Sequence, residues 1–241
     1  MGGIALVTGA SGGLALACAR ELAERGWRAV GVSRQPGAGD DWAEVLRADV
    51  GDPSGAREAV AACVERHGVP DLLLHCAGST LVQPLHRTAG SDWREVMRAN
   101  VDTAFFALQA WTGALRGARR AGAAVLVSSV VSRIGVANHE AIAAAKGAVE
   151  ALGRSAAATY AADGIRVNVV APGIMDTPLT AKLLGSDAMR AAITRQYPLA
   201  RIAPPAELAA LMCFLAIDAP HVTGQVIALD GGFSAVRPLV R

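Results

Sequence analysis

The sequence is poor in aromatic residues and in lysine. Aromatic side chains make up 4% of the 241 residues, and tyrosine occurs twice, at Tyr160 and Tyr197. Lysine also occurs twice, at Lys146 and Lys182, although lysine and arginine together number 23. Because the chain otherwise uses arginine for its cations, the lysine at position 146 indicates a specific role.

Long apolar runs, basic runs and paired cysteines are absent as well. No apolar run reaches the roughly 18–20 residues of a membrane span. The first residues, MGGIALVTGA, lack the charged segment of a signal peptide, so we expect a cytoplasmic protein. A net charge of +2 without a basic run argues against nucleic acid binding. Cys18, Cys63, Cys76 and Cys213 form no C-x-x-C pair, so we expect buried, reduced thiols and no metal site.

Short apolar segments alternate with longer amphipathic segments along the chain. The predicted strands are 4–7, 28–33, 45–50, 71–75, 123–128, 166–170 and 226–229. The predicted helices are 12–25, 53–67, 139–162 and 205–215, and further helical stretches are expected over roughly 91–119. Residues 174–204 are expected to be irregular with one helical insert. The alternation predicts one α/β domain over residues 1–241, a doubly wound seven-stranded parallel sheet with helices on both faces.

A glycine-rich turn, VTGASGGLA at residues 7–15, separates the first strand from the first helix. Glycine lets the backbone approach a pyrophosphate, and the free N–H groups of the helix N-terminus favour an anion. Ala15 stands where a third glycine is usual, which is a tolerated variant. The turn predicts a dinucleotide site, and an ordinary βα turn is the alternative.

The second strand ends in Ser33 and Arg34, where many dinucleotide enzymes have a carboxylate. A carboxylate would accept the ribose 2′-hydroxyl and repel a 2′-phosphate, whereas a hydroxyl and a guanidinium suit the phosphate. We therefore predict NADP(H) in preference to NAD(H), with a solvated loop arginine as the alternative.

The order of these motifs resembles the short-chain dehydrogenase/reductase family, in its 3-oxoacyl-ACP-reductase-like branch. The resemblance covers essentially the whole chain and is carried by TGASGG at 8–13, Asp49-Val50, NVVAPGIMDT at 168–177, VTGQ at 222–225 and DGG at 230–232. It implies a Rossmann-type fold, a small-molecule substrate and a homotetramer or homodimer. The implied cofactor contacts are Gly9, Ser11, Gly12, Gly13, Leu14, Ser33, Arg34, Asp49, Val50, Cys76, Ala77, Gly78, Lys146, Pro172, Gly173, Ile174 and Thr177.

The family's catalytic residues are an asparagine, a serine, a tyrosine and a lysine. The resemblance assigns three of these roles to Asn100, Ser129 and Lys146, and it aligns Ile142 with the tyrosine. A phenol beside an ammonium exchanges a proton with a substrate oxygen near neutral pH, whereas isoleucine has no proton to exchange. A positioned general acid is worth about 10²–10⁴-fold in rate, so we expect ordinary ketone reduction to be badly impaired.

Three hypotheses follow from Ile142. The first is hydride transfer to a small, largely apolar imine, iminium, enone or carbonyl substrate, with His139 or Tyr197 as a candidate substitute acid. The second is non-redox chemistry such as cyclisation, isomerisation or elimination. The third is a catalytically silent subunit that supports an active homologue in a mixed oligomer, and an engineered replacement of the tyrosine is a further alternative.

Residues outside the motifs are expected to shape the substrate pocket. An apolar pocket is predicted from Leu81, Val82, Leu85, Val136, Leu179, Leu183 and Leu184. We expect His75 to form hydrogen bonds at a strand end, and Tyr160 to be structural.

Overall fold

Seven parallel strands form one sheet in the computed structural model, which describes residues 2–35 and 39–237. The strands are β1 (Ile4–Thr8), β2 (Arg28–Ser33), β3 (Glu44–Arg47), β4 (Leu72–His75), β5 (Gly122–Val127), β6 (Ile165–Pro172) and β7 (Val226–Leu229). Their order across the sheet is β3-β2-β1-β4-β5-β6-β7. The predicted fold class, a doubly wound parallel sheet, is confirmed. The prediction of one domain over residues 1–241 stays a prediction.

Helices cover both faces of this sheet. They are α1 (Gly13–Glu24), α2 (Pro53–His67), α3 (Gly90–Met97), α4 (Thr103–Gly117), α5 (Glu140–Tyr160), α6 (Asp187–Thr194) and α7 (Pro205–Cys213). One apolar layer joins α1 and α7 to the sheet, and the other joins α2, α4 and α5 to the opposite face. No helix within the described residues is long and apolar enough to cross a membrane.

The predicted bounds match where local sequence fixes both ends of an element. The α2 helix begins after Asp52, whose carboxylate accepts hydrogen bonds from the amides of Ser54 and Gly55, each at 3.0 Å. Pro53 occupies the first helical position, and Gly68 follows the last one with a φ of 103°. These signals explain why the predicted helix 53–67 and α2 coincide.

One predicted strand is too long, and several other predicted bounds differ from the structure by one or two residues. The helical stretches predicted over roughly 91–119 are α3 and α4, which a π-helical turn at Arg98–Asp102 joins. The predicted strand 45–50 ends at Arg47, because its partner β2 ends at Ser33 and offers no further residues for pairing. The chain turns instead at Asp49, whose carboxylate accepts a hydrogen bond from the amide of Gly51 at 2.9 Å.

The strand order places a crevice between β1 and β4. The chain runs from β1 outwards to β2 and β3 and then crosses back to β4 on the other side of β1. Connections that leave β1 and β4 therefore diverge at the carboxyl edge of the sheet. Ligands of open α/β sheets bind at such a switch point.

Candidate active site

A cavity of about 780 Å³ lies at the carboxyl ends of the strands. It is lined by the turns that follow β1, β2, β4, β5 and β6, together with residues of α5 and of the 174–197 segment. Every residue predicted to contact a cofactor lines this cavity. The fold thus brings together motifs that are more than 160 positions apart in the sequence, from Gly9 to Thr177.

The turn after β1 has space for a phosphate group. Gly9 has a φ of +73°, and a Cβ atom there would lie 2.8 Å from the amide nitrogen of Ala77. The α1 helix begins after Gly12 with no side-chain cap and no acidic residue in its first turn, so its free N–H groups stay available to an anion. Ala15 is fully buried at the contact where a third glycine is usual. The loop therefore fits the pyrophosphate of a dinucleotide.

Hydroxyl groups and a guanidinium lie at the end of β2. Ser33 is buried, and its Oγ donates a hydrogen bond to Ser11 Oγ at 3.1 Å and accepts one from the amide of Gln35 at 3.3 Å. Arg34 is exposed and lines the cavity. Within the described residues its guanidinium has no ion pair. This end of the cavity is suited to an anionic group.

Among the described residues that line the cavity, Asp49 is the one with a carboxylate, and this carboxylate forms an ion pair with Arg98. Its Oδ2 accepts a hydrogen bond from Arg98 Nη2 at 2.8 Å. Sequence reasoning did not predict Arg98, and its only sequence signal is its place two residues before Asn100. The pair leaves no free carboxylate to oppose a phosphate in this region.

Lys146 extends from α5 into the buried end of the cavity. Its Nζ donates a hydrogen bond to the carbonyl of Val127 at 2.9 Å. Burial lowers the pKa of Lys146 to about 8, against a smaller opposing effect of Cys76. An ammonium has three N–H donors, so two remain for a ligand. A side chain at Gly78 would crowd this end of the cavity, because a Cβ atom would lie 2.8 Å from Asn100 Oδ1 and 3.3 Å from Lys146 Nζ.

Asn100 lies behind the cavity wall and does not line it. Its Nδ2 donates hydrogen bonds to the carbonyl of Val96 at 2.9 Å and to Ser79 Oγ at 3.1 Å. Its Oδ1 accepts one from the amide of Ser79 at 3.2 Å. The π-helical turn that contains Asn100 thereby fixes the loop after β4. The geometry gives Asn100 a positioning role rather than direct contact with a ligand.

The two serines after β5 have different environments. Ser129 Oγ accepts a hydrogen bond from the amide of Val131 at 3.4 Å. Within the described residues its hydroxyl hydrogen has no acceptor, so it is available to a ligand. Ser128 Oγ instead donates to Glu150 Oε1 at 2.9 Å. Of the two serines, Ser129 is therefore the one whose hydroxyl is available to a ligand in the described part of the chain.

Ile142 lies one helical turn before Lys146 on α5. Its side chain is 3% exposed and packs with Val96, Ala141 and Ala145 while forming part of the cavity wall. No proton donor or acceptor stands at this point of α5. The wall next to Lys146 is therefore apolar.

His139 precedes α5 and also lines the cavity. Its Nδ1 donates a hydrogen bond to the carbonyl of Ala137 at 2.7 Å, which leaves Nε2 as the free ring nitrogen. The residue is half-buried.

Tyr197, a candidate substitute acid, forms a hydrogen bond with Ile174 that the sequence does not predict. The phenol oxygen accepts a hydrogen bond from the amide of Ile174 at 2.7 Å, and the ring stacks on Phe233 with centroids 5.0 Å apart. The side chain lines the cavity and is 9% exposed. Burial raises the pKa of Tyr197, so the phenol keeps its proton.

His75 and Tyr160 have the structural environments expected from the sequence. His75 Nδ1 lies 2.8 Å from Thr8 Oγ1, and its Nε2 lies 3.3 Å from Thr103 Oγ1. Burial lowers the pKa of His75 to about 3, and the charge of Lys146 adds to this effect. The imidazole is thus neutral. Tyr160 packs against the core, with the guanidinium of Arg116 6.0 Å from the ring centroid.

The predicted apolar pocket is only partly correct. Val136, Leu179 and Leu183 line the cavity. The other four residues do not: Leu81 packs behind the wall, Val82 and Leu85 are exposed outside it, and Leu184 is buried away from it. Residues that the prediction missed are Met175, Ile193 and Phe233. Spacing in irregular segments does not reveal which side chains turn inwards.

Known proteins of similar sequence are oxidoreductases that match this chain from end to end. The profile of a family described as enoyl-(acyl carrier protein) reductase matches residues 9–234. The chain is 41% identical to cis-4-hydroxycyclohexanecarboxylate dehydrogenase of Sinomonas cyclohexanicum, over 97% of each protein. It is 33% identical to the 3-oxoacyl-[acyl-carrier-protein] reductase FabG of Salmonella typhimurium, over 98% of each.

Solved structures of similar shape include enzymes of the same class. Aldohexose dehydrogenase of Thermoplasma acidophilum, in ligand-free form, has a TM-score of 0.92 and 26% identity, with 100% of this chain and 97% of that chain covered. A variant of ElxO in which one tyrosine is replaced by phenylalanine, with NADPH bound, has a TM-score of 0.90 and 25% identity, with 97% and 99% covered.

Proposed function

Because the chain belongs to the short-chain dehydrogenase/reductase family of oxidoreductases, which bind nicotinamide cofactors, we propose that it is an NADP(H)-dependent oxidoreductase with an atypical active site. Its substrate is a small, largely apolar imine, iminium, enone or carbonyl compound. The observation that carries the proposal is the contrast within one cavity. The residues that we assign to nucleotide binding, from Gly9 to Thr177, line the same cavity as Ile142, which the resemblance aligns with the family's tyrosine.

The proposed cofactor contacts follow from the available donors. The turn at Gly9 and Gly12 accommodates the pyrophosphate, and the two unused N–H groups of Lys146 serve the nicotinamide ribose. The amide of Ile174 and the hydroxyl of Thr177 serve the carboxamide. The ElxO variant supports this part of the proposal, because a protein of this fold holds NADPH after one tyrosine hydroxyl has been removed.

The preference for NADP(H) rests on charge at the end of β2. Ser33 supplies a hydroxyl, and Arg34 supplies a guanidinium that is unpaired within the described residues. Hydrogen bonds between a guanidinium and a phosphate are charge-assisted and can be bidentate. Asp49 does not oppose a 2′-phosphate, because Arg98 already neutralises it. ElxO also has NADP bound in a solved structure.

The proposed reaction does not require a general acid at position 142 during hydride transfer, because isoleucine has no proton to donate. NADPH, when bound, supplies the hydride. An iminium carbon accepts a hydride without needing a proton, and a conjugated alkene is protonated at a second carbon that solvent can reach. A ketone, in contrast, requires a proton on its oxygen as the hydride adds. The chain is therefore expected to favour the first two acceptors over simple ketones.

Three side chains have proposed functions around the acceptor. Ser129 donates its free hydroxyl hydrogen to a heteroatom of the substrate. Lys146 provides positive charge beside the reacting groups. His139, with Nε2 free, is the candidate acid when a carbonyl substrate is used.

The remaining predictions about assembly and location are also proposals. We propose a homotetramer or homodimer in the cytoplasm, which acts on a small molecule rather than on nucleic acid or a membrane. Non-redox chemistry, and a silent subunit in a mixed oligomer with an active homologue, are the competing outcomes of the experiment below.

A binding and turnover experiment tests the proposal. Fluorescence titration of the purified chain with NADPH and NADH gives both affinities, and NADPH absorbance then follows turnover of 2-methyl-1-pyrroline, cyclohex-2-enone and ethyl acetoacetate. We expect tighter binding of NADPH, and faster oxidation of NADPH with the imine or enone than with the ketone. If the protein binds neither NADPH nor NADH, the proposal is wrong. Transformation of a substrate without NADPH consumption favours non-redox chemistry.

A further inference from the structure

Two cysteines lie in contact beside the cavity. Cys18 Sγ and Cys76 Sγ are 4.0 Å apart. Cys18 belongs to α1 and is fully buried, whereas Cys76 follows β4, is half-buried and lines the cavity. The sequence separates them by 58 residues, and neither belongs to a C-x-x-C motif.

The sheet order explains why these thiols meet. β1 and β4 are neighbours, with Thr8 opposite His75, and α1 packs on the face next to both strands. A residue on the buried side of α1 therefore faces the residue that follows β4. Beyond Cys18 lies Met212 of α7, whose sulfur is 4.0 Å from Cys18 Sγ.

The two thiols differ in their access to solvent. Cys76 is half-buried and forms part of the cavity wall, so a small polar molecule in the cavity can approach this residue. Such a molecule does not reach Cys18, which has no exposed surface. The contact with Cys76, followed by burial, raises the pKa of Cys18 well above its ordinary value, so that Cys18 is a thiol in the reduced protein.

We propose that Cys76 is a site of oxidation by a hydroperoxide and that Cys18 is its resolving thiol. In the first step the sulfur of Cys76 attacks hydrogen peroxide, the O–O bond breaks, and a sulfenic acid and water form. In the second step the sulfur of Cys18 attacks the sulfenic sulfur, an S–S bond forms, and a second water leaves. Two thiols are thereby oxidised by two electrons and one peroxide is reduced to two waters.

Formation of this disulfide moves the wall of the cavity. A disulfide bond is about 2.05 Å long, so the two sulfurs must approach each other by about 2 Å. The backbone after Cys76 packs closely on the phosphate turn, because a Cβ atom on Gly9 would lie 2.8 Å from the amide of Ala77 and 3.0 Å from the carbonyl carbon of Cys76. Movement of Cys76 therefore displaces the segment that packs against the phosphate turn.

Displacement of the phosphate turn by the disulfide couples oxidation to nucleotide binding in two ways. These two effects rest on the proposed function. Oxidation weakens NADPH binding, by about 5-fold to 150-fold if the coupling has the usual size. Bound NADPH covers the cavity wall and slows oxidation of Cys76. The disulfide itself does not depend on what the cavity binds.

The test uses the full chain, reduced with dithiothreitol, freed of reductant and treated with hydrogen peroxide. Intact mass and peptide mapping are expected to show loss of two hydrogen atoms and a Cys18–Cys76 cross-link that dithiothreitol reverses. Cys18→Ser is expected to stop at the sulfenic acid, which dimedone traps on Cys76. Cys63→Ser is the matched control, because Cys63 is buried on α2 and contacts the carbonyl of Gly68 instead. It is expected to form the cross-link as the wild type does.

The outcomes separate this proposal from the proposed function. Absence of the cross-link, or a cross-link to Cys63 or Cys213 instead, overturns the thiol pair. Formation of the cross-link in a protein whose reduced form binds NADPH, with unchanged affinity after oxidation, overturns the coupling. If the reduced protein does not bind NADPH, the proposed function is contradicted. Formation of the Cys18–Cys76 cross-link then still tests whether Cys76 is oxidised and Cys18 resolves it.

Discussion

The phenol oxygen of Tyr197 accepts a hydrogen bond from the backbone amide of Ile174, with the two atoms 2.7 Å apart. In the proposed complex the same amide binds the nicotinamide carboxamide. The phenol therefore occupies a position that the cofactor needs, and Phe233 holds the ring there by stacking. Binding of NADPH must displace the phenol from Ile174.

Tyr197→Phe removes this competition while it preserves the stacked ring. We expect NADPH to bind more tightly, by about 2-fold to 10-fold, because a hydrogen bond with a net value of about 0.5–1.5 kcal/mol no longer has to be broken. Fluorescence titration measures the change. Tyr160→Phe is the matched control, since Tyr160 is the other tyrosine of the chain and packs against the core away from the cavity. Weaker binding by Tyr197→Phe would instead make the phenol part of the cofactor site.

Ile142→Tyr is expected to create ketone reductase activity. A phenol placed one turn before Lys146 supplies the missing acid, which is worth about 10²–10⁴-fold in rate. Ethyl acetoacetate and NADPH serve as the assay. Ile142→Phe is the control, because it adds the ring without the hydroxyl and is expected to stay inactive. Equal ketone rates for the two variants would show that the rest of the site is not arranged for this reaction.

The burial of Lys146 predicts a pH-dependent cost in stability. Its pKa falls from an ordinary value of 10.5 to about 8, which corresponds to about 3 kcal/mol. Between these two values the unfolded chain binds more protons than the folded one, so the contribution of Lys146 to stability rises with pH through this window. The cost is thus fully present below pH 8 and disappears above pH 10.5.

Lys146→Met tests this cost by chemical denaturation at several pH values. We expect the variant to be more stable than the wild type near pH 7 by up to about 3 kcal/mol, with the difference shrinking above pH 8 and vanishing above pH 10.5. Lys182→Met, on the exposed 174–197 segment, is the control and should show no such trend. A difference that does not change with pH would mean that Lys146 is not desolvated.

Arg34→Ala is expected to reduce the affinity for NADPH by about tenfold or more, because a charge-assisted hydrogen bond contributes about 1.5–3 kcal/mol. Affinity for NADH, which lacks the 2′-phosphate, should hardly change. Arg28→Ala is the matched control, since Arg28 is exposed at the opposite end of the same strand. An equal loss for both nucleotides would assign Arg34 to a general electrostatic effect rather than to the 2′-phosphate.

Much of the fold was predictable because its signals are local. The bounds of β2, α2 and β7 coincide with the predicted ranges, since apolar segments and caps mark their ends. The π-helical turn at Arg98–Asp102 was not predictable, because it depends on the hydrogen bonds that Asn100 makes to a loop 21 residues earlier.

Within the site, motif residues were predictable and contacts between motifs were not. Gly9, Ser33 and Lys146 line the cavity as their motifs indicate. The bond between Tyr197 and Ile174 was missed because it joins two irregular segments that carry no periodic pattern. The contact of Cys18 with Cys76 was missed for a related reason, as it follows from the order of strands in the sheet.

The most direct test of the central claim is isotope transfer from NADPH that carries deuterium at both hydrogen positions of carbon 4 of the nicotinamide ring. The acceptor is 2-methyl-1-pyrroline, and mass spectrometry of the product amine is the measurement. The account predicts one deuterium on the former imine carbon, in wild-type protein that retains Ile142. Formation of a product without deuterium would contradict the account, because substrate would then be transformed without hydride transfer from the cofactor.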